Sequence, residues 1–212
     1  KTNKKNKNKK GKIMKCTIND AENYVGSGGN FFKLENDGET AKIRFMYNTI
    51  DDVEYTVVHE VEIGDKKRFV NCIRAYDEPV DNCPLCAAGS RAKPLLFLPI
   101  YNEDAKETQI WQRGRSFEGT ISGLCSRYNP LVGTVIEIER HGKKGDKNTT
   151  YQPYPGKSDD VTLDDLPEKP DHVGTIVLDK TFDELSYFVE NGTFAEEDTK
   201  PVDRRAERTP QQ

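Results

Sequence analysis

The 212-residue chain has no run approaching the ~20 apolar residues that a bilayer-spanning helix requires. Apolar residues make up 34% of it, below the roughly 45–50% usual for globular chains, while 32% are charged. Part of the chain is therefore expected to lie outside any packed core. The opening KTNKKNKNKK carries charge with no hydrophobic segment behind it, so it does not read as a signal peptide, and a cytoplasmic setting with no membrane contact is expected. Cysteine is scarce and odd in number, at five, which argues against a disulfide scaffold and leaves thiolate ligation as the use for a clustered subset.

What is present is segregated by sign. Lysines occupy eight of the first fifteen positions with no acid among them, whereas Pro155 to Lys200 holds thirteen acids against four lysines. The expected organisation is a basic, mobile arm (1–20), a core (21–157) containing a zinc subdomain near 55–92, an acidic connector with a helix (158–194), and a tail (195–212). The Gly26-Ser27-Gly28-Gly29 run reads as a hinge.

Short β-rich runs separated by Gly, Asp, Asn and Pro predict strands at Ala41–Tyr47, Tyr55–Ile63, Arg68–Ala75, Leu95–Tyr101, Thr108–Gln112 and Thr134–His141. Between the last two, Phe117, Ile121, Leu124 and Cys125 take the spacing of one helix face, stopped by Asn129-Pro130. Asp179–Glu190 is a second helix, stopped by Asn191-Gly192. The pattern is mainly β with minor α. A helix between late antiparallel strands fits the OB plan: a five-stranded Greek-key barrel, here with an inserted zinc-binding hairpin and a C-terminal helix.

His59, Cys72, Cys83 and Cys86 form the candidate metal set. A two-residue turn at Asp65-Lys66 places His59 opposite Cys72; a turn at Gly64-Asp65 places it opposite Val70 with Cys72 diagonal, still on the same face. Cys83-Pro84-Leu85-Cys86 can turn both sulfurs to one point, and three thiolates with one imidazole suit one tetrahedral Zn²⁺. Four protein ligands leave no position for water, so a structural ion and no enzyme is the expectation. A half-buried strand histidine without a ligand role and a thioredoxin-like couple are the competing readings, the latter needing a βαβ pattern that is not visible. The zinc-deaminase motif fits poorly, since Glu60 adjoins His59 and points to the opposite face of a strand. His141, His172, Cys16 and Cys125 look unattached, with Cys125 a core residue.

Cations that follow phosphates and rings that stack on bases are what binding a single DNA strand requires. The candidates are Arg44, Tyr47, Lys67, Arg74, Tyr76, Arg91, Lys93, Tyr101, Trp111, Arg113, Arg115, Phe117, Arg127, Tyr128, Lys143 and Lys144. Trp111, Arg113 and Arg115 alternate, so on a strand they share a face, which predicts a stacking platform flanked by guanidinium groups.

The Phe32-Lys33-Leu34 opening with Ile43-Arg44-Phe45, the His59/Cys72/Cys83-Pro84-Leu85-Cys86 order, the Trp111-to-Ile121 strand-to-helix passage and a closing strand near Val135–Glu139 resemble the single-stranded DNA-binding (helix-destabilising) proteins of T-even-type phages. The likeness covers about residues 30 to 155. It implies an OB-fold cleft for single strands walled by the zinc hairpin, those four residues as ligands, and work in phage replication, recombination and repair in the host cytoplasm. It also implies that the basic arm supports contacts between copies along the strand and that the acidic region recruits replication and recombination proteins. The gap between Cys72 and Cys83 is one residue longer than in the T-even form, and Arg204, Arg205 and Arg208 stand where an acidic ending is expected. A zinc-dependent nucleic-acid-processing enzyme, and an RNA-binding or protein-interaction module, are the alternatives.

Overall fold

A computed structural model describes residues 31–195. The Lys1–Lys15 run, the glycine hinge, Cys16 and the arginines of the C-terminal end lie outside the described residues. Within them the protein is mainly β, an eight-stranded mixed sheet with few helices: β1 (Thr40–Phe45), β2 (Tyr55–Ile63), β3 (Lys66–Asn71), α1 (Pro84–Ala87), β4 (Lys93–Asn102), β5 (Glu107–Arg113), α2 (Glu118–Arg127), β6 (Thr134–His141), β7 (Thr150–Ser158), β8 (Val177–Leu178) and α3 (Phe182–Asn191). No helix among the described residues is long and apolar enough to cross a membrane.

The order is β7-β6-β1-β4-β2-β3-β8, with β5 on β4, and every pair is antiparallel except β3 with β8. Strand β4 is the junction. Along one edge it pairs β2 through Lys93–Leu96 and β1 through Ile100–Asn102, while β5 runs along the opposite edge. Its two faces are both covered, which is why five consecutive residues, Leu96 to Ile100, are buried. Leu96, Leu98 and Ile100 enter the main core with Ile43, Phe45, Trp111, Ile121, Leu131, Ile136 and Ile138. Phe97 enters a second cluster with Val58, Ile110, Ile176 and Val177. Strand β6 shows the one-sided alternation instead, burying Thr134, Ile136, Ile138 and Arg140 and leaving the residues between them part-exposed.

Two predicted strands, Tyr55–Ile63 and Thr134–His141, match their observed bounds, and the others shift by one to four residues. Strand β7 was hidden because Pro153, Pro155 and Gly156 break the β signal. Its place at the sheet edge, paired only with β6, is where proline does least harm. No described strand pair joins β5 to β7, so the backbone path does not close into a ring; side chains meet across that gap, with Trp111 and Tyr151 at 5.2 Å between ring centroids.

After β7 the chain crosses back over the sheet. Asp159 passes so close to Gly133 that a Cβ there would sit 2.9 Å from the Asp159 carbonyl oxygen. The Asp159 carboxylate takes two bonds from Arg44, at 2.9 and 2.6 Å; Lys169 lies 4.5 Å from the Tyr47 ring centroid, and His172 stacks on Phe97 at 4.9 Å while bonding Thr56. His172, expected to be unattached, thus has two partners.

Helix α3 is held by a capping box, with Thr181 as N-cap and Glu184 bonding back, and by Gly192 in the left-handed conformation at its end (φ +70°). Its Leu185 and Phe188, with Phe194 beyond it, pack on Val61, Val70, Cys83 and Leu85. Replacing Leu185, fully buried, by alanine should cost about 2–5 kcal/mol and lower the melting temperature by roughly 4–20 °C. A melting curve unchanged within a degree would show that α3 does not dock there.

Candidate metal centre

The β2–β3 hairpin turns at Gly64-Asp65, with Gly64 at φ +59°, which a two-residue hairpin loop asks of its first residue. His59 therefore faces Val70, and Cys72, held by its N–H to the Val57 carbonyl at 3.0 Å, is the diagonal neighbour. The register with His59 directly opposite Cys72 is not the one adopted. The other two sulfurs arrive on a short turn. Cys83 caps α1, Pro84 sets its first residue, and Gly89 (φ +83°) lets the chain leave.

The ligand atoms of His59, Cys72, Cys83 and Cys86 all lie within 4.8 Å of one another, and together they could hold a metal ion. His59 Nε2 is 3.6 Å from the Cys83 sulfur and 3.5 Å from that of Cys86, and the Cys72 and Cys86 sulfurs are 3.7 Å apart. The three thiols are free. Sulfurs 3.7 Å apart are far beyond a disulfide bond of about 2.0 Å.

The electrostatics favour the ligand forms of His59 and Cys83, whereas burial opposes that of Cys72. Burial, with Arg74 adding to it, lowers the His59 pKa, keeping the imidazole neutral. Its Nδ1 lies 3.0 Å from Ser90 Oγ, which leaves Nε2 turned to the sulfurs. Burial opposes ionisation of Cys83, yet the backbone N–H groups of Cys86, Ile73 and Leu85 outweigh it and hold that thiol below its ordinary pKa. Burial also pushes the Cys72 thiol up to about 11. Arg74 donates from Nη1 to the Glu78 carbonyl at 2.8 Å, and the nearby thiols, Cys86 foremost with Cys72 and Cys83, raise its pKa. It sits where three thiolates would need a countercharge, so it serves this cluster rather than standing free for phosphate. Neither Ser90 nor Arg74 carried a sequence signal for that role. Glu60 points away and pairs with Lys67 at 3.2 Å and Lys93 at 3.0 Å.

The cationic and aromatic candidates divide sharply. Arg44, Tyr47, Trp111 and Phe117 are buried. Arg44 is consumed by Asp159 and Glu103. Trp111 and Arg113 do share a face, as the alternation predicts, but that face turns inward: the indole is 2% exposed and packs on Phe32, Phe45, Phe117 and Tyr151. It is a core residue, and the expected stacking platform is not presented. Arg115 leaves the strand on a 3-10 turn and is open to solvent, 3.7 Å from Glu118. Lys67, Tyr76, Arg91, Lys93, Arg127, Lys143 and Lys144 are exposed, Tyr76 completely, and Tyr101, Arg113 and Tyr128 are half-buried. Lys144 pairs with Glu35. Cys125 is a core residue of α2, as expected, and His141 stands exposed beside Glu139.

No family model and no curated protein matches the chain.

With Nε2 turned to the metal, the His59 Nδ1–H donates to Ser90 Oγ and this bond orients the ring, so Ser90→Ala should weaken metal binding by about 10- to 100-fold in a chelator-competition titration with Zn²⁺. Unchanged affinity would remove Ser90 from the site.

Proposed function

We propose that the protein is a non-enzymatic, zinc-stabilised single-stranded DNA-binding protein of the OB type. The observation that carries this reading is the strand run β5-β4-β1-β6-β7, antiparallel throughout, with α2 between β5 and β6 and an opening between β5 and β7. That order supports reading the five strands as a partly open Greek-key barrel, a platform on which oligonucleotides are often bound. The zinc unit enters as the insertion between β1 and β4, which the T-even phage resemblance leads one to expect.

Fold does not name a ligand, and surface chemistry must narrow it. Tyr76, Arg91, Arg127 and Lys143 are exposed and Tyr128 half-exposed, a mixture of rings and cations suited to stacked bases and phosphates.

Zinc is the ion that suits the cluster. Tetrahedral bonds of about 2.3 Å to sulfur and 2.0–2.1 Å to nitrogen place sulfurs about 3.8 Å apart and sulfur and nitrogen about 3.6 Å apart. Three of the six separations match, at 3.7 Å between the Cys72 and Cys86 sulfurs and 3.5 and 3.6 Å from His59 Nε2 to Cys86 and Cys83, and all lie within 4.8 Å. Four protein ligands leave no place for a reacting water, and Glu60, engaged with two lysines, is no general base for one. The zinc therefore stabilises rather than reacts. Coating of strands during phage replication, recombination and repair belongs to the same proposal. So do contacts between copies through the Lys1–Lys15 run and recruitment of partner proteins by the acidic region.

In a fluorescence-anisotropy titration, labelled oligo(dT) should bind at least about tenfold more tightly than duplex of equal length, and the affinity should fall steeply with salt. Equal affinity for the duplex would contradict the reading.

A further inference from the structure

The described residues bury or half-bury several arginines, and their company differs. Arg44, 5% exposed, is neutralised by the carboxylates of Asp159 and Glu103. Arg140, 7% exposed, has only neutral acceptors: the Tyr151 hydroxyl at 2.9 Å, the Lys143 carbonyl at 3.0 Å and the Thr149 hydroxyl at 3.1 Å. Arg113, half-buried, has aromatic faces. Its Cζ lies 4.2 Å from the ring centroid of Tyr151, 5.2 Å from that of Trp111 and 5.6 Å from that of Phe117. Neither Arg113 nor Arg140 makes an ion pair among the described residues.

These two cations share one tyrosine. Arg113 Cζ lies over the Tyr151 ring, and Arg140, which donates to the Tyr151 hydroxyl, has its Cζ 5.8 Å from the same ring centroid. The Nε of each is enclosed with no hydrogen-bond partner. Burial lowers the Arg113 pKa, Tyr151 opposes the change, and Arg140 adds to it. Two desolvated like charges without a carboxylate are costly unless an anion joins them. The place is the seam where β5 and β7 are not hydrogen-bonded to each other.

A groove of about 310 Å³ between α2 and β7 starts one residue beyond Tyr151, lined by Gln152, Pro153, Gly119, Gly123, Arg127 and Tyr128. Gly119 and Gly123 leave its α2 side open, since a Cβ at either would meet nothing within 4 Å. Arg127 is exposed and in no ion pair among the described residues.

We propose that Arg113, backed by Tyr151 and Arg140, is a phosphodiester contact at the β5–β7 seam, from which the bound strand follows the α2–β7 groove to Arg127. This inference rests on the single-stranded DNA reading and assigns it a path.

The test uses the full chain. Arg113→Gln should weaken oligo(dT) binding about tenfold at low salt and reduce the slope of log affinity against log salt by about 0.7, the contribution of one phosphate contact on a single strand, while Arg113→Lys keeps the slope. A purely structural arginine would change stability and leave the slope alone, and a folded Arg113→Gln with the wild-type slope overturns the site. Should that variant fail to fold, phenylglyoxal footprinting of the wild type decides. Arg113 and Arg127 should be protected by oligo(dT) and not by the same concentration of inorganic phosphate; Arg113 unprotected, or protected equally by phosphate, overturns the proposal. If the wild type binds no oligo(dT) at all, the DNA reading itself falls. Binding with Arg113 unprotected removes only the seam.

Discussion

Convergence of three sulfurs and one imidazole on a single point is the constraint on which the smaller half of the protein depends. The apolar cluster around that point consists of Val61, Val70, Leu85, Leu185, Phe188 and Phe194 together with Cys83. So small a set does not offset the ordering of a hairpin, a short turn helix and α3 by itself. A bound ion would supply the missing stabilisation, because in an unliganded chain the ligands have no reason to be neighbours. The surroundings are arranged to that end: Ser90 turns the imidazole, backbone N–H groups favour the Cys83 thiolate, and Arg74 offsets the negative charge the sulfurs would leave.

That unit is tied to the larger one by shared strands rather than by a flexible tether. Strand β4 gives one half of an edge to β2 and the other half to β1, so the hairpin bearing His59 continues the same sheet that holds the main core. The crossing segment adds a second tie through Asp159 on Arg44 and His172 on Phe97. Most of the acids expected to form an exposed connector are solvent-facing, and Asp159, 44% exposed, also reaches in to neutralise the buried Arg44. A charge count over the segment does not distinguish the two roles.

The sequence was most informative where local rules govern. Alternation and turn residues located six strands, 3.6-residue spacing located α2 and α3, and parity put His59 and Cys72 on one face whichever turn formed. It was least informative where burial depends on which face a neighbouring strand covers. The alternation of Trp111 and Arg113 is real, yet only the packing of β5 against the main core reveals that the shared face is internal. Arg44 looked like a free cation because its partners Glu103 and Asp159 lie 59 and 115 residues away. Strand β7 escaped because its prolines are tolerated only at an edge, and edge position is a property of the assembled sheet.

Zinc K-edge X-ray absorption on the purified protein tests the central claim most directly. One zinc per chain is predicted, with a first shell of three sulfurs at about 2.3 Å and one nitrogen at 2.0–2.1 Å. A shell containing a water oxygen in place of one of these ligands, or protein that folds with no bound metal, would contradict it.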